Sequence, residues 1–231
     1  MPPGRKALCL HEEILLLALR DKKGTIVQGL MYQHAMAGAI LAELLLAKRI
    51  QIEEGKKKLV NVVNDKPLDE PVIDECLARV ATPKRRAASQ TWVSRFANIK
   101  KFKHRVAKGL CDRGILRADE DTVLLIFRRK VYPEINPEPE RKLIERLRKA
   151  IFTSTREVDP RTVLLLSLAN GVGLLKIPFD KKRLKRRKGR IERLTRGELM
   201  GKATREAVQA AQAAVTVACI VPTMATTTAC R

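Results

Sequence analysis

The sequence predicts a mainly α-helical fold, organised as a single compact domain with short β-hairpins. The 231 residues are 45% apolar, which is enough to form a substantial hydrophobic core. Apolar residues recur at helical spacing along most of the chain, and glycine or proline divides this pattern into segments of ordinary helix length. No internal repeat and no linker divides the core. We therefore expect one domain over residues 8–221, between flexible tails at 1–7 and 222–231.

The helices follow one another with recognisable starts and stops. The first has Glu12 and Glu13 in its opening turn, where the helix dipole favours acidic residues. The third has a proline in its first turn, and the fifth is clearly amphipathic. The sixth starts after the capping residue Asp159, ends at Gly171 and is apolar all round, so we expect it to be buried. The predicted helices cover residues 8–20, 27–48, 69–79, 94–113, 139–152, 160–171 and 205–220.

Two hairpins are predicted between these helices. Residues 50–52 and 59–62 are rich in β-branched side chains and flank a Glu-Gly-Lys turn. After the helix that ends before Gly114, residues 115–116 and 123–127 are expected to pair as strands around an acidic turn at 119–121.

The positive charge of the chain is concentrated in two blocks. Residues 81–117 carry 11 Lys and Arg against 1 Asp or Glu, and residues 181–231 carry 13 against 3. The other two stretches are nearly neutral, with 12 against 11 over residues 1–80 and 11 against 10 over 118–180. Charge grouped in this way is typical of proteins that bind a polyanion, either nucleic acid or an anionic membrane.

The sequence does not indicate catalysis, a metal or a cofactor. The histidines His11, His34 and His104 are isolated and lack metal-ligand spacing. The Gly-Val-Gly at 171–173 follows a helix rather than a strand, so it does not predict a dinucleotide loop. The five dispersed cysteines suggest a reducing compartment. With no secretory signal and no strongly apolar span, we expect a cytoplasmic protein that is not an enzyme.

Several segments resemble the Golgi phosphoprotein 3 family. The similarity begins with the leucine-rich opening helix and continues through the small-residue stretch of the second helix into the first hairpin. It returns in the segment before Gly114 and in the strand that follows. These segments occupy residues 8–24, 37–44, 48–50, 105–116 and 123–127. The resemblance implies a mainly helical domain that binds the cytosolic face of a membrane (the Golgi in a eukaryote) through phosphatidylinositol 4-phosphate. In eukaryotic members it also implies gathering of glycosyltransferase tails.

The resemblance also assigns residues to a lipid head-group site. Lys100 and Lys103 match the two basic residues that the family has on a later helix, and Arg105 lies close by in the sequence. The family's other half of the site, an aromatic residue and an arginine near the second helix, is replaced by Gln28 and Ala37. Only the half that contains the two lysines is therefore matched.

Two further segments are candidate contact surfaces. The family's membrane-contacting or oligomerising hairpin corresponds to residues 118–131, which include the apolar run Val123, Leu124, Leu125, Ile126 and Phe127. A buried core strand explains that run equally well. The second basic block matches no motif and predicts a nonspecific electrostatic anchor. Gly189 and the mutual repulsion of its charges argue against a stable isolated helix there. The anchor residues are Lys181, Lys182, Arg183, Lys185, Arg186, Arg187, Lys188 and Arg190.

Three functions are compatible with these patterns. The first is a peripheral adaptor for anionic phospholipid, because Lys100 and Lys103 would share one face of a continuous helix. The second is nucleic-acid binding by the blocks at 81–117 and 181–193. The helix that stops before Gly114, with two strands after it, is similar to a winged helix. Against that function, no helix is predicted immediately before Ser94, and only 3% of the residues are aromatic. The third is a scaffold that binds acidic tails of client proteins.

Overall fold

A computed structural model describes residues 7–20, 23–27, 31–53, 57–82, 86–123, 127–155 and 157–199. The fold is mainly α-helical, as the sequence predicts. The helices are α1 (Leu10–Ala18), α2 (Tyr32–Leu46), α3 (Pro71–Ala81), α4 (Ser89–Ala97), α5 (Phe102–Asp112), α6 (Glu138–Phe152), α7 (Pro160–Gly171), α8 (Lys181–Arg186) and α9 (Lys188–Thr195). A 3₁₀ turn at Leu174–Lys176 follows α7.

Within the described residues, the strands form three antiparallel pairs. They are β1 (Leu19–Arg20) with β2 (Thr25–Ile26), β3 (Ile50–Ile52) with β4 (Val60–Val62), and β5 (Asp119–Val123) with β6 (Phe127–Val131). In the last pair Glu120 lies opposite Lys130, and Asp121 lies opposite Arg129. The pairing of β3 with β4 confirms the hairpin predicted for residues 50–52 and 59–62.

The core is built around α1, α2 and α7. Every residue of α1 is buried, because α2, α5, α6 and α7 all pack against it. The buried position predicted for α7 is confirmed: residues 162–169 are all inaccessible. Its start is also as predicted, since Asp159 accepts a hydrogen bond from the Thr162 amide at 3.0 Å. Among the described residues, no helix combines the length and the hydropathy that a bilayer crossing needs.

Buried carboxylates connect this core to the later helices. Glu12 binds the Arg113 guanidinium at 3.1 Å, and Glu13 binds Arg146 at 2.8 Å. On α2, Glu43 binds Arg161 at 2.8 Å and also accepts the Leu10 amide. A buried carboxylate needs such partners, because its desolvation otherwise costs several kcal/mol. Three partly exposed arginines thus serve as partners of buried carboxylates.

The single helix predicted over 94–113 is wrong. Two helices occupy this region, and residues 98–101 form a turn in which Lys101 has a φ of 58°. The Asn98 side chain donates a hydrogen bond to the Ser94 carbonyl at 2.8 Å and ends α4. Phe96, Ile99 and Phe102 are all buried, so the three-residue apolar spacing continues across the break. That continuity is why the pattern predicts one helix.

The strand pairing predicted after Gly114 is also wrong. Residues 119–121 belong to β5 and pair with β6, so they are not a turn. Asp121 binds Arg129 across the ladder at 2.6 Å, which favours this register. Ile115 and Leu116 are buried outside the strands, and Leu116 forms an isolated bridge with Glu134.

Smaller differences concern element ends. The first helix ends at Ala18 and continues as β1, and α2 begins at Tyr32 rather than near residue 27. The Val27 amide donates instead to the Ala18 carbonyl, which extends the pairing of β1 and β2. The predicted helices at 69–79 and 139–152 are confirmed as α3 and α6. The predicted helix at 205–220 and the C-terminal tail lie outside the described residues.

Candidate anion-binding site

Lys100 and Lys103 stand at the start of α5, but not on one helical face. Lys100 is exposed in the turn between α4 and α5, and Lys103 is the second residue of α5 and half-buried. The shared face predicted from their spacing is therefore wrong, because the helix is interrupted between them. The left-handed Lys101 precedes α5 directly and is also exposed.

An aromatic side chain joins α5 to the end of β6. Tyr132 is buried, and its hydroxyl lies 2.8 Å from Nδ1 of His104. The ammonium of Lys103 lies 6.0 Å from the centroid of the same ring, at the outer range of a cation–π contact. Tyr132 thus contacts two consecutive residues of the first turn of α5.

A glycine fixes the backbone of Tyr132. The Tyr132 amide donates to the Gly24 carbonyl at 2.9 Å. Gly24 has a φ of 58°, and a Cβ atom there would lie 2.1 Å from the Pro133 nitrogen. Only glycine satisfies both conditions, because it has no Cβ and accepts a positive φ.

Positive charge is in excess where the start of α5 meets the end of β6. Burial and the nearby Arg129 lower the pKa of Lys103. Burial also lowers the pKa of His104, and Lys103, Lys130 and Lys101 lower it further. Cations of α5 and β6 therefore act on one another here. We call this set the α5–β6 basic cluster, and its members are Lys101, Lys103, His104, Arg129, Lys130 and the ring of Tyr132.

Arg105 is directed to a different partner. It forms an ion pair with Glu75 of α3, and Glu75 also binds Arg79 at 2.8 Å. The hydrogen bond from Arg105 is the main cause that lowers the pKa of Glu75. Lys108, one turn further along α5, pairs with Asp112 at 2.7 Å. The structure therefore groups Arg105 with α3 rather than with Lys103.

Comparison with known proteins agrees with this architecture. Residues 10–211 match the family model of Golgi phosphoprotein 3 (GPP34), which covers most of the chain. The chain belongs to the Golgi phosphoprotein 3 family. It is also similar to vacuolar protein sorting-associated protein 74 of Eremothecium gossypii, with 25% identity over 200 residues. That match includes 73% of this chain and 60% of the relative, so the chain spans less than two thirds of the relative's length.

One of the two positions expected to be altered in the head-group site lies in α2. Ala37 is fully buried in α2, where its methyl group packs in the core. It carries no charge that a ligand could use. Gln28 lies outside the described residues.

Of the apolar hairpin residues, Val123 and Phe127 are paired at the end of the β5–β6 ladder. Leu124, Leu125 and Ile126 lie outside the described residues. A role for this run in membrane contact or self-association stays a prediction.

Residues 181–186 and 188–195 of the second basic block form helices α8 and α9, and neither stands alone as an isolated helix. Asp180 caps α8 by accepting the Arg183 amide at 3.0 Å. In α9, Ile191 and Leu194 are buried, and α9 packs against α7. The helix is not isolated, and this burial outweighs the charge repulsion and the glycine.

Half of the predicted anchor residues have structural partners. Arg187 donates to the Phe152 carbonyl at 3.2 Å, and Arg190 donates to the Ala150 and Thr155 carbonyls at 2.7 and 2.8 Å. These carbonyls lie at the end of α6, where cations complement the helix dipole. The Arg183 guanidinium lies 4.8 Å from the Phe152 ring centroid, and Lys188 lies 3.7 Å from Glu192. Within the part of the chain that the structure describes, the anchor residues that are exposed and make none of these contacts are Lys181, Lys182, Lys185 and Arg186.

The sequence interpretation missed Lys130 and Tyr132. Lys130 lies in β6, and Tyr132 directly follows its last residue, Val131. The strand predicted at 123–127 ends before both of them, so it does not bring either residue to α5. The interpretation also expected no helix immediately before Ser94, whereas α4 begins at Ser89.

Proposed function

We propose that this chain is a peripheral membrane protein that binds anionic phospholipid through the α5–β6 basic cluster. The expected ligand is a phosphoinositide head group such as that of phosphatidylinositol 4-phosphate, and the expected role is that of a membrane adaptor rather than an enzyme. The observation that carries the proposal is the half-buried Lys103 at the start of α5, surrounded by further cations. Membership of a family named after a Golgi phosphoprotein supports it.

The energetics of such a surface favour reversible membrane binding. Each Lys or Arg near an anionic bilayer contributes about 1 kcal/mol, and this contribution falls off within a Debye length. The cluster combines the exposed Lys101 with the half-buried Lys103, and the exposed Lys100 lies directly beside it in the preceding turn. Several such residues together would hold the protein at a membrane without a complete head-group pocket.

Vesicle sedimentation tests the proposal. Vesicles would contain phosphatidylinositol 4-phosphate, phosphatidylserine alone, or only neutral lipid. We expect strongest retention on the phosphoinositide, weaker retention on phosphatidylserine and none on neutral lipid. Equal retention on all three would contradict the proposal.

The double substitution Lys100→Glu with Lys103→Glu should abolish binding to phosphoinositide vesicles. It reverses the charge of Lys103 in the cluster and of Lys100 beside it, and neither lysine has an acidic partner in the described residues. Thermal unfolding should change little, because Lys100 is exposed and Lys103 is only half-buried. The matched control is Lys66→Glu with Lys149→Glu, which changes net charge equally at two exposed positions. Unchanged binding in the first variant would show that the site is elsewhere.

Nucleic-acid binding is the second candidate, favoured by one observation. Helix α4, a short turn, helix α5 and the β5–β6 hairpin follow one another as in a winged helix, so one argument against this function no longer holds. A gel-shift assay with DNA and RNA at the salt concentration of the vesicle assay separates the two functions. Tighter binding to nucleic acid that persists at higher salt would favour this candidate.

A further inference from the structure

The strand β6 supplies charge to the place where α5 begins. Lys130 lies in β6, two residues before Tyr132, and the Tyr132 hydroxyl contacts His104 of α5. The end of β6 that carries Lys130 therefore lies beside the start of α5. The electrostatic influence of Lys130 on His104 agrees with this placement.

The positive groups at this junction outnumber their carboxylate partners. Arg129 is paired with Asp121 at 2.6 Å. Glu120 lies opposite Lys130 in the ladder, but within the described residues no ion pair joins their side chains. Lys101 and Lys103 likewise have no acidic partner among those residues. Crowded and partly buried cations raise the free energy of the empty site, and a bound anion would lower it.

We infer that Lys130 and His104 complete the phosphate site at Lys103, forming a phosphomonoester-binding site whose affinity for an anion of constant charge rises as the solution becomes more acidic. This inference rests on the proposed function and extends it from α5 to β6. Lys130 would replace the positive charge that α2 lacks, since Ala37 is buried there. A phosphomonoester fits better than a phosphodiester, because it carries up to two charges and three terminal oxygens.

His104 provides the pH dependence. Its Nδ1 atom is occupied by the Tyr132 hydroxyl, so Nε2 is the nitrogen left for a ligand. The groups that face the imidazole are Lys101 and Lys103 beside it, and Lys130 and Tyr132 from β6 and its end. Burial and these lysines lower the pKa of His104, and a bound phosphate would offset the effect of the lysines and favour the imidazolium.

Calorimetric titration of the full chain with the soluble head group, glycerophosphoinositol 4-phosphate, tests the role of Lys130. Lys130→Ala should weaken binding by about tenfold, the usual loss for one charge-assisted hydrogen bond. Lys66→Ala, an exposed lysine beyond β4, should leave binding unchanged. Because Lys130 is also exposed, its variant should fold normally, which a melting curve checks.

Titration with sulfate between pH 5.5 and 8 tests the role of His104, because the charge of sulfate is constant over this range. Sulfate affinity of the unmodified chain should rise as pH falls. In His104→Gln, which retains a hydrogen-bonding side chain for Tyr132, that rise should disappear. Affinity at pH 8 should remain. A rise of equal size in both proteins would overturn the role of His104.

The outcomes also separate this inference from the proposed function. Loss of vesicle binding in Lys100→Glu/Lys103→Glu, together with full head-group affinity in Lys130→Ala, would overturn the inference alone. Full binding in both variants would overturn both the inference and the proposed function.

Vesicles that contain phosphatidylinositol instead of its 4-phosphate distinguish a lipid head group from free phosphate as the ligand. Retention should need the monoester on the lipid, and free inorganic phosphate should compete only weakly.

Discussion

Part of the positive charge of this strongly basic chain is paired with buried carboxylates. The buried Glu43 accepts hydrogen bonds from both terminal nitrogens of Arg161 at 2.8 Å, and the same guanidinium binds the Leu8 carbonyl. Burial opposes the charged form of Arg161, but Glu43 outweighs it and raises the pKa. Such pairs join helices that are far apart in the sequence, so part of the positive charge is needed for folding rather than binding.

His11 and Glu70 form a second buried pair, whose contribution to stability should depend on pH. His11 is fully buried, and its Nε2 lies 3.7 Å from a Glu70 oxygen, too far for a hydrogen bond. Burial lowers the pKa of His11, but the carboxylates of Glu70, Glu12 and Glu43 outweigh it and leave the pKa raised above 6.5. For Glu70 the effect of burial is outweighed by His11, so its pKa is lowered below 4.5.

The signs of the two shifts define where the pair stabilises the fold. Because folding raises its pKa, His11 contributes its full stabilisation below pH 6.5, and this contribution is lost as the pH rises through the raised pKa. Because folding lowers its pKa, Glu70 contributes its full stabilisation above pH 4.5. We therefore expect the free energy of unfolding of the unmodified chain, relative to His11→Leu, to be greatest between these pH values and to decline towards pH 8. Urea unfolding of both proteins at several pH values measures this difference in the free energy of unfolding. A difference that does not change with pH would contradict the prediction.

At the scale of elements, the sequence predicts the features whose signal lies within one segment, and it does not predict those that depend on tertiary contacts. The capped α7, the amphipathic α6 and the β3–β4 hairpin each carry their signal within the segment itself. The turn at 98–101 carries none, because the apolar spacing continues through it and the positive φ of Lys101 is set by packing on either side. The same is true of β6, whose register depends on pairs such as Asp121 with Arg129.

The candidate site was predicted only in part for the same reason. Lys100 and Lys103 came from the resemblance to the family, which carries information about a site even where the local structure is misjudged. Tyr132 and Lys130 reach the site through β6 and through the contact of Tyr132 with Gly24, which is more than 100 residues away in the sequence. Nothing in the local pattern around residue 130 indicates that contact.

A substitution at Gly189 tests whether α9 is helical in solution. It is the second residue of α9, and nothing lies within 4 Å of the position that a Cβ would take. Gly189→Ala should therefore stabilise the protein by about 0.5–1 kcal/mol, the usual gain in a helix. Gly114→Ala is the matched control: space is equally open there, but the φ of 66° penalises a Cβ, so that variant should be less stable. Chemical denaturation measures both, and destabilisation by Gly189→Ala would show that α9 is not helical in solution.

At the scale of the whole molecule, the two basic blocks have become two different surfaces. The first contributes the start of α5 to the α5–β6 basic cluster, which β6 completes from outside that block. The second divides between arginines that cap α6 and an exposed group on α8, Lys181, Lys182, Lys185 and Arg186. One surface is built around a half-buried lysine and an aromatic ring, and the other consists of exposed charges. We expect the first to provide selectivity and the second to provide general attraction.

Replacing Lys181, Lys182, Lys185 and Arg186 by glutamine tests this division. Loss of four exposed cations should weaken binding to phosphatidylserine vesicles by at least about tenfold at low salt, and the effect should shrink as salt screens the charges. The preference for phosphatidylinositol 4-phosphate over phosphatidylinositol should remain, because the α5–β6 basic cluster is intact. The control replaces four other exposed lysines, Lys57, Lys66, Lys142 and Lys149. If the control weakens binding equally, net charge rather than the surface of α8 provides the attraction, and the division proposed here is wrong.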